Sequence, residues 1–203
     1  YHTTTMSYHR FRKYKNIIKN ADIHRPNQVW VSDITYIGKR DNPCYLSLIT
    51  DAYSKKIVGF DVSNTMCTDH VIKALRMAQK QRKTKESLIH HSDRGVQYCS
   101  DEYQYYLNKY EINCSMTENS DPYENAIAER INGILKQEFM IDTYHLPLPM
   151  MKKVVAEAIH IYNKDRPHWS NHLLTPNQMH QIPNMKYRSY KTKKSSKLEF
   201  TTL

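Results

Sequence analysis

Val29-Trp30-Val31-Ser32-Asp33-Ile34-Thr35-Tyr36-Ile37 is a run of β-branched and aromatic residues, followed by turn formers from Gly38 to Pro43, and it reads as a β-strand. Side chains alternate between the two faces of a strand, so Asp33 shares a face with Val29, Val31, Thr35 and Ile37. An ionised carboxylate in such company is costly unless it is paired or holds a metal ion. Taken alone, Asp33 also reads as a satisfied structural residue.

Working outward, strands are expected at about 44–51 and 56–62, and the short turns between the three give an antiparallel meander. The period then changes. Val71, Leu75 and Ala78 mark a helix over 68–82, with Thr68 or Asp69 as its cap. Leu88–His91 reads as a short strand leading into Ser92-Asp93-Arg94-Gly95; residues 101–109 read as a helix and 112–115 as a strand. Asp121 as N-cap, Pro122 and the capping-box acid Glu124 start a helix whose apolar stripe is Ile127, Ile131, Ile134, Leu135 and Phe139. A long helix follows over about 149–165, and residues 166–185, with their prolines, are expected to wrap the surface. The order β-β-β-α-β-α-β-α-α is that of the ribonuclease H fold. The expected class is α/β, a mixed five-stranded sheet with helices on both faces, with a basic arm at 1–28, a core at 29–166 and a C-terminal extension at 167–203.

Asp93 sits in a loop after a strand, where α/β sheets commonly carry function, although an Asp beside Gly95 also suits a plain turn. Glu129 lies about 200° around its helix from Ile127, off the apolar stripe, with Asn132 and Lys136 on its own face. Alone, it reads as a solvent-facing Glu. Together, three carboxylates from separate elements suit two Mg²⁺ ions, one activating a water or 3′-hydroxyl and the other stabilising the leaving oxygen. No Ser-His or Cys-His nucleophile motif competes.

The net charge of +10 lies at the two ends. Arg10, Arg12, Lys13, Lys15, Lys19 and Arg25 face only Asp22 in residues 1–28, and Lys186, Arg188, Lys191, Lys193, Lys194 and Lys197 face only Glu199 in 185–203, leaving the body neutral. Charge alone reads equally as two solvated tails or as arms for a nucleic-acid partner, and the aromatic rings interleaved with the cations favour nucleic acid. Cys44, Cys67, Cys99 and Cys114 are scattered, which fits reduced thiols and no zinc site. No apolar run approaches a membrane span or a signal peptide, which with reduced thiols fits a cytoplasmic protein. The chain opens on Tyr1 rather than Met, and an upstream module is expected outside it.

Asp93 and Glu129 are separated by 35 residues, and the flanks are more specific than the spacing. Pro26-Asn27-Gln28-Val29-Trp30-Val31-Ser32-Asp33-Ile34-Thr35-Tyr36, His91-Ser92-Asp93-Arg94-Gly95-Val96-Gln97-Tyr98, Asn125-Ala126-Ile127-Ala128-Glu129, Tyr162-Asn163 with Arg166-Pro167-His168, and Leu174-Thr175-Pro176-Asn177-Gln178 occur in that order. The set resembles the integrase catalytic core of insertion sequence 3 family transposases, within the retroviral integrase superfamily. The family's usual Gly-Asn-Pro-Tyr-Asp-Asn is here Ser120-Asp121-Pro122-Tyr123-Glu124-Asn125, and Arg130 replaces the usual Ser after the Glu.

The resemblance implies a DDE enzyme that cleaves DNA 3′ ends and transfers strands during transposition, with Mg²⁺ (Mn²⁺ as substitute) held as two ions by Asp33, Asp93 and Glu129. It places Asn132 and Lys136 at the metal or DNA edge, and makes Arg94, Gln97, Tyr98 and Arg130 candidate DNA contacts. The implied partners are transposon-end and target DNA and further copies of the chain, with recognition of the ends left to an upstream helix-turn-helix. Two other readings are a ribonuclease H-like nuclease that does not join ends and a non-catalytic DNA-binding regulator.

Overall fold

Alternation along β1 (Val29–Ile37) sends Trp30 and Ile34 to one face of a sheet and Val29, Val31, Asp33 and Ile37 to the other. The computed structural model describes residues 9–38, 43–118 and 125–185. β2 (Cys44–Asp51) pairs antiparallel with β1, and β3 (Ile57–Ser63) antiparallel with β2. β4 (Leu88–Ser92) pairs parallel with β1, and β5 (Ile112–Met116) parallel with β4, giving the order β3-β2-β1-β4-β5. The expected mixed five-stranded sheet is the one observed.

Helices cover both faces. α1 (Thr68–Gln81), α2 (Val96–Cys99) and α3 (Asp101–Lys109) pack Val71, Leu75, Tyr98, Tyr103 and Leu107 against Trp30 and Ile34. α4 (Ala126–Glu138) and α5 (Leu148–Asp165) pack Ile131, Leu135, Val155 and Tyr162 against Leu46, Leu48 and Ile57. α1 lies so close on β3 that a Cβ at Gly59 would sit 2.2 Å from the Ala74 carbonyl oxygen. α1 begins at Thr68, but its N-cap is Cys67, which makes no side-chain cap bond; Asp69 sits in the first turn, where its charge meets the helix dipole. The expected start of α4 at Asp121, Pro122 and Glu124 lies outside the described residues; the helix runs from Ala126 behind Asn125, which caps it without a side-chain bond.

The segment after α5 is more ordered than a surface wrap. It forms a 3₁₀ turn (Trp169–Asn171) and α6 (Pro176–Met179), the latter closed by a reciprocal Thr175–Gln178 capping box. Asn171 and Met179 are fully buried. Beneath them is Asp51, also fully buried, which accepts bonds from the Asn27 N–H, the Ser54 N–H and the Ser54 hydroxyl, each 2.7 Å long. The Ser54 hydroxyl also meets His180 Nδ1 at 2.8 Å, and the Tyr53 hydroxyl donates to the Ile182 carbonyl at 2.6 Å. The β2–β3 turn thereby anchors the C-terminal segment.

Residues 9–28 carry no regular secondary structure but lie against the domain. Tyr14 packs on the α1/α3 core, and Ile18 and Ile23 pack on Val29 and Val31. Among the described residues no helix is long and apolar enough to cross a membrane.

Candidate active site

The parallel register pairs Val29 with Ile89, Trp30 with His90 and Val31 with His91. Continued two residues, the same offset sets Asp33 beside Asp93. The Asp33 carboxyl is pushed up to about 7, first by burial and second by the negative charge of Asp93; the Glu129 charge adds a smaller push in the same direction. Asp93 is held in its turn by the Gly95 N–H, which donates to Oδ1 at 2.9 Å.

α4 crosses β1 on the Asp33 face. Asn125 donates its amide to the Ser32 carbonyl at 3.2 Å, Ala128 packs on Val29 and Val31, and Asn132 donates to Asp33 Oδ2 at 2.7 Å. Glu129, next to Ala128, is exposed in the first turn of the helix. The structure thus brings Asp33 and Asp93 together and sets Glu129 on the helix above them. Among the described residues no three ligating side chains stand close enough, as they lie, to grip one ion. The donors are nonetheless all carboxylate oxygens, and Asp33 is held among negative charges that a hard divalent cation would neutralise. The set fits Mg²⁺ or Mn²⁺.

The remaining candidates divide. Lys136 is half-buried with its ammonium 4.3 Å from the centre of the Tyr36 ring, and burial draws its pKa down. Arg130 is exposed and lines a groove of about 600 Å³ with Lys55, Arg166 and Trp169. Arg94 is partly buried, its carbonyl oxygen 2.9 Å from the His9 ring. Three expectations need correction. Tyr98 is 2% exposed, wedged between the His90 and Tyr103 rings, so it is a core residue and not a DNA contact. Gln97 is also buried and donates to the Met66 carbonyl at 2.9 Å. Both lie on α2, whose residues 97–99 all turn inward. Asn132 is buried too; its amide orients a carboxylate and does not face a phosphate.

One buried group behind the site has no counterpart in the sequence reading. His90 Nε2 is shared by the Ser32 hydroxyl at 2.7 Å and the Tyr103 hydroxyl at 2.9 Å. Burial, with neighbouring His91, depresses its pKa to about 3, so the ring is neutral. It ties β4 to β1 one residue before Asp33. The signal available in sequence was only that His90, on an alternating strand, shares no face with His91.

A β3-β2-β1-β4-β5 sheet with one carboxylate midway along β1, a second just past the end of β4 and a third on the helix crossing them defines a ribonuclease H-like core. Two family models, both described as integrase core domain, match residues 23–122 and 110–176. The chain is 34% identical over 170 residues to the insertion element IS600 uncharacterized 31 kDa protein of Shigella sonnei, covering 83% of this chain and 62% of that protein. It is 34% identical over 144 residues to the transposase InsF for insertion sequence IS3A of Escherichia coli (strain K12), covering 70% and 50%. The HTLV-2 integrase catalytic core domain in complex with magnesium superposes with a TM-score of 0.61 at 22% identity, covering 77% of this chain and 97% of that one. This chain belongs to the integrase core domain family, in the branch carried by insertion sequence 3 transposases. It spans about half to three-fifths of the length of the curated relatives it matches.

Proposed function

We propose that the chain is the catalytic domain of a DDE transposase that cleaves DNA 3′ ends and transfers them to target DNA. The observation that carries the reading is the juxtaposition of Asp33 and Asp93 beneath α4, with the Asp33 carboxyl pushed up first by burial and then by the Asp93 charge. Asp33, Asp93 and Glu129 would hold two Mg²⁺ ions, or Mn²⁺ in their place. When bound, such a pair supplies a deprotonated water or 3′-hydroxyl and charge stabilisation of the leaving oxygen. The protein's own share is orientation. Asn132 fixes one oxygen of Asp33, the Gly95 N–H fixes one oxygen of Asp93, and Lys136, Arg94 and Arg130 place positive charge around the site for phosphates.

The IS3A relative is named a transposase, and one structural neighbour is a simian T-cell lymphotropic virus intasome. We extend the proposal to an assembly of copies working on DNA beside the nucleoid in a bacterial cytoplasm, with an upstream helix-turn-helix module reading the element ends.

The test is Glu129→Gln in the full-length protein, incubated with element-end DNA and Mg²⁺. Joined products are expected to fall by at least about 100-fold while DNA binding and thermal midpoint hold. Wild-type joining in that variant would remove Glu129 from the site. Wild-type cleavage without joined products would favour the nuclease, and binding without cleavage the regulator.

A further inference from the structure

We infer that residues 9–19 form a fixed cationic rail along the β5 edge that binds the phosphate backbone of substrate DNA and leads it to the Asp93 loop. The inference rests on the DNA-processing function proposed above and adds the surface over which the DNA runs.

The segment is tied to the domain by backbone and side-chain bonds. The Lys15 carbonyl accepts from the Met116 N–H of β5 at 3.3 Å, the Asn16 N–H donates to Glu118 Oε1 at 3.0 Å, and the Ile17 N–H donates to the Ser115 hydroxyl at 3.1 Å. That hydroxyl also meets His91 Nδ1 at 2.9 Å, joining the arm to β4. At the far end the His9 ring meets the carbonyl oxygen of Arg94, the residue after Asp93.

The side chains sort by direction. Tyr14 and Ile18 turn onto the core, whereas Arg10, Arg12, Lys13, Lys15 and Lys19 are exposed. The Arg12 guanidinium lies 5.0 Å from the centre of the Tyr14 ring, which restrains it without neutralising it. Among the described residues no carboxylate forms an ion pair with any of these five cations.

An extended stretch of this length spans up to about 35 Å, close to one turn of B-DNA. Cations spread along it match a uniformly charged rod better than a compact anion. Because the arm is already docked, little chain entropy is lost on binding, unlike for a free basic tail.

The experiment compares two sets of three substitutions in the full-length protein. One is Arg10→Ala, Arg12→Ala and Lys13→Ala. The control is Lys152→Ala, Lys153→Ala and Lys164→Ala, exposed cations of α5, which packs over β3 at the opposite edge of the sheet. Affinity for element-end duplex is measured across a salt series. The arm set is expected to lower the slope of log affinity against log salt by up to about 2.7 and to weaken binding at least about 10-fold at physiological salt, and the control set to do neither. An unchanged slope in the arm set, or equal losses in both, overturns the rail. Wild type that fails to bind duplex DNA overturns the functional reading beneath it as well. Thermal midpoints are read in parallel, and Gln at the same three arm positions replaces Ala if the Ala variant loses stability.

Discussion

The bond from Asn132 occupies Asp33 Oδ2, so a neutral amide decides which lone pairs are presented to an ion. Asn132→Ala is expected to weaken Mg²⁺ binding by about 10–100-fold, as is usual when an outer partner of a ligand is removed. The rise in thermal midpoint on adding Mg²⁺ measures it; an undiminished rise would show that Asp33 orients itself. The sequence alone separates this role poorly. Asn132 is about 60° from Glu129 around the helix but only about 40° from Ala128, and the second neighbour wins because Ala128 packs on the sheet. Asp33 was legible because an acid stood on an apolar face. Tyr98 and Gln97 were misread because they follow Asp93 in the chain, and proximity in sequence says nothing about which side of a one-turn helix faces solvent.

Among the elements, β1 through β5 and the four longer helices were legible because each carries a clear period. α2, the 3₁₀ turn and α6 were not, since three or four residues cannot display one. Several quoted motifs prove to be joints between elements. Asn163 bonds both the N–H and the carbonyl of Ile57 at 2.9 Å, Arg166 takes both oxygens of Glu138 at 2.6 Å, and Thr175 and Gln178 cap α6. Gly59 is another joint, invisible without the β3–α1 contact. Gly59→Ala is expected to cost about 3 kcal/mol, because the Ala74 carbonyl oxygen belongs to a helix backbone that must move as a unit. Chemical denaturation checks it; a loss below about 1 kcal/mol would mean that α1 can lift from the sheet.

For the molecule as a whole, buried neutral histidines make stability fall toward acid. The folded pKa of His90 is about 3, against an ordinary 6.5, so between those values the unfolded chain holds a proton that the folded chain lacks. Its contribution is fully present above about pH 6.5 and is lost as pH falls through that window, by up to about 1.4 kcal/mol per pH unit. His168, drawn down to about 4 by burial and by the Arg166 charge, adds to the slope, while Asp33, shifted upward, opposes it. Denaturant midpoints of wild type and His90→Gln from pH 7 to 4.5 isolate the first effect, because the other groups are common to both proteins. The variant is expected to show the flatter curve; parallel curves would mean that His90 gains its proton without unfolding.

The docked arm also has a bearing on how copies of this chain behave in solution. β5 is an outer strand of the sheet, and a bare strand edge is a template on which another polypeptide can add itself. Lys15 already occupies the Met116 N–H, and the arm carries exposed charge along that margin. What remains of the β5 margin is only a few residues long, too short for sustained pairing. The cations posted along this border therefore also oppose the addition of a further strand to the sheet at β5.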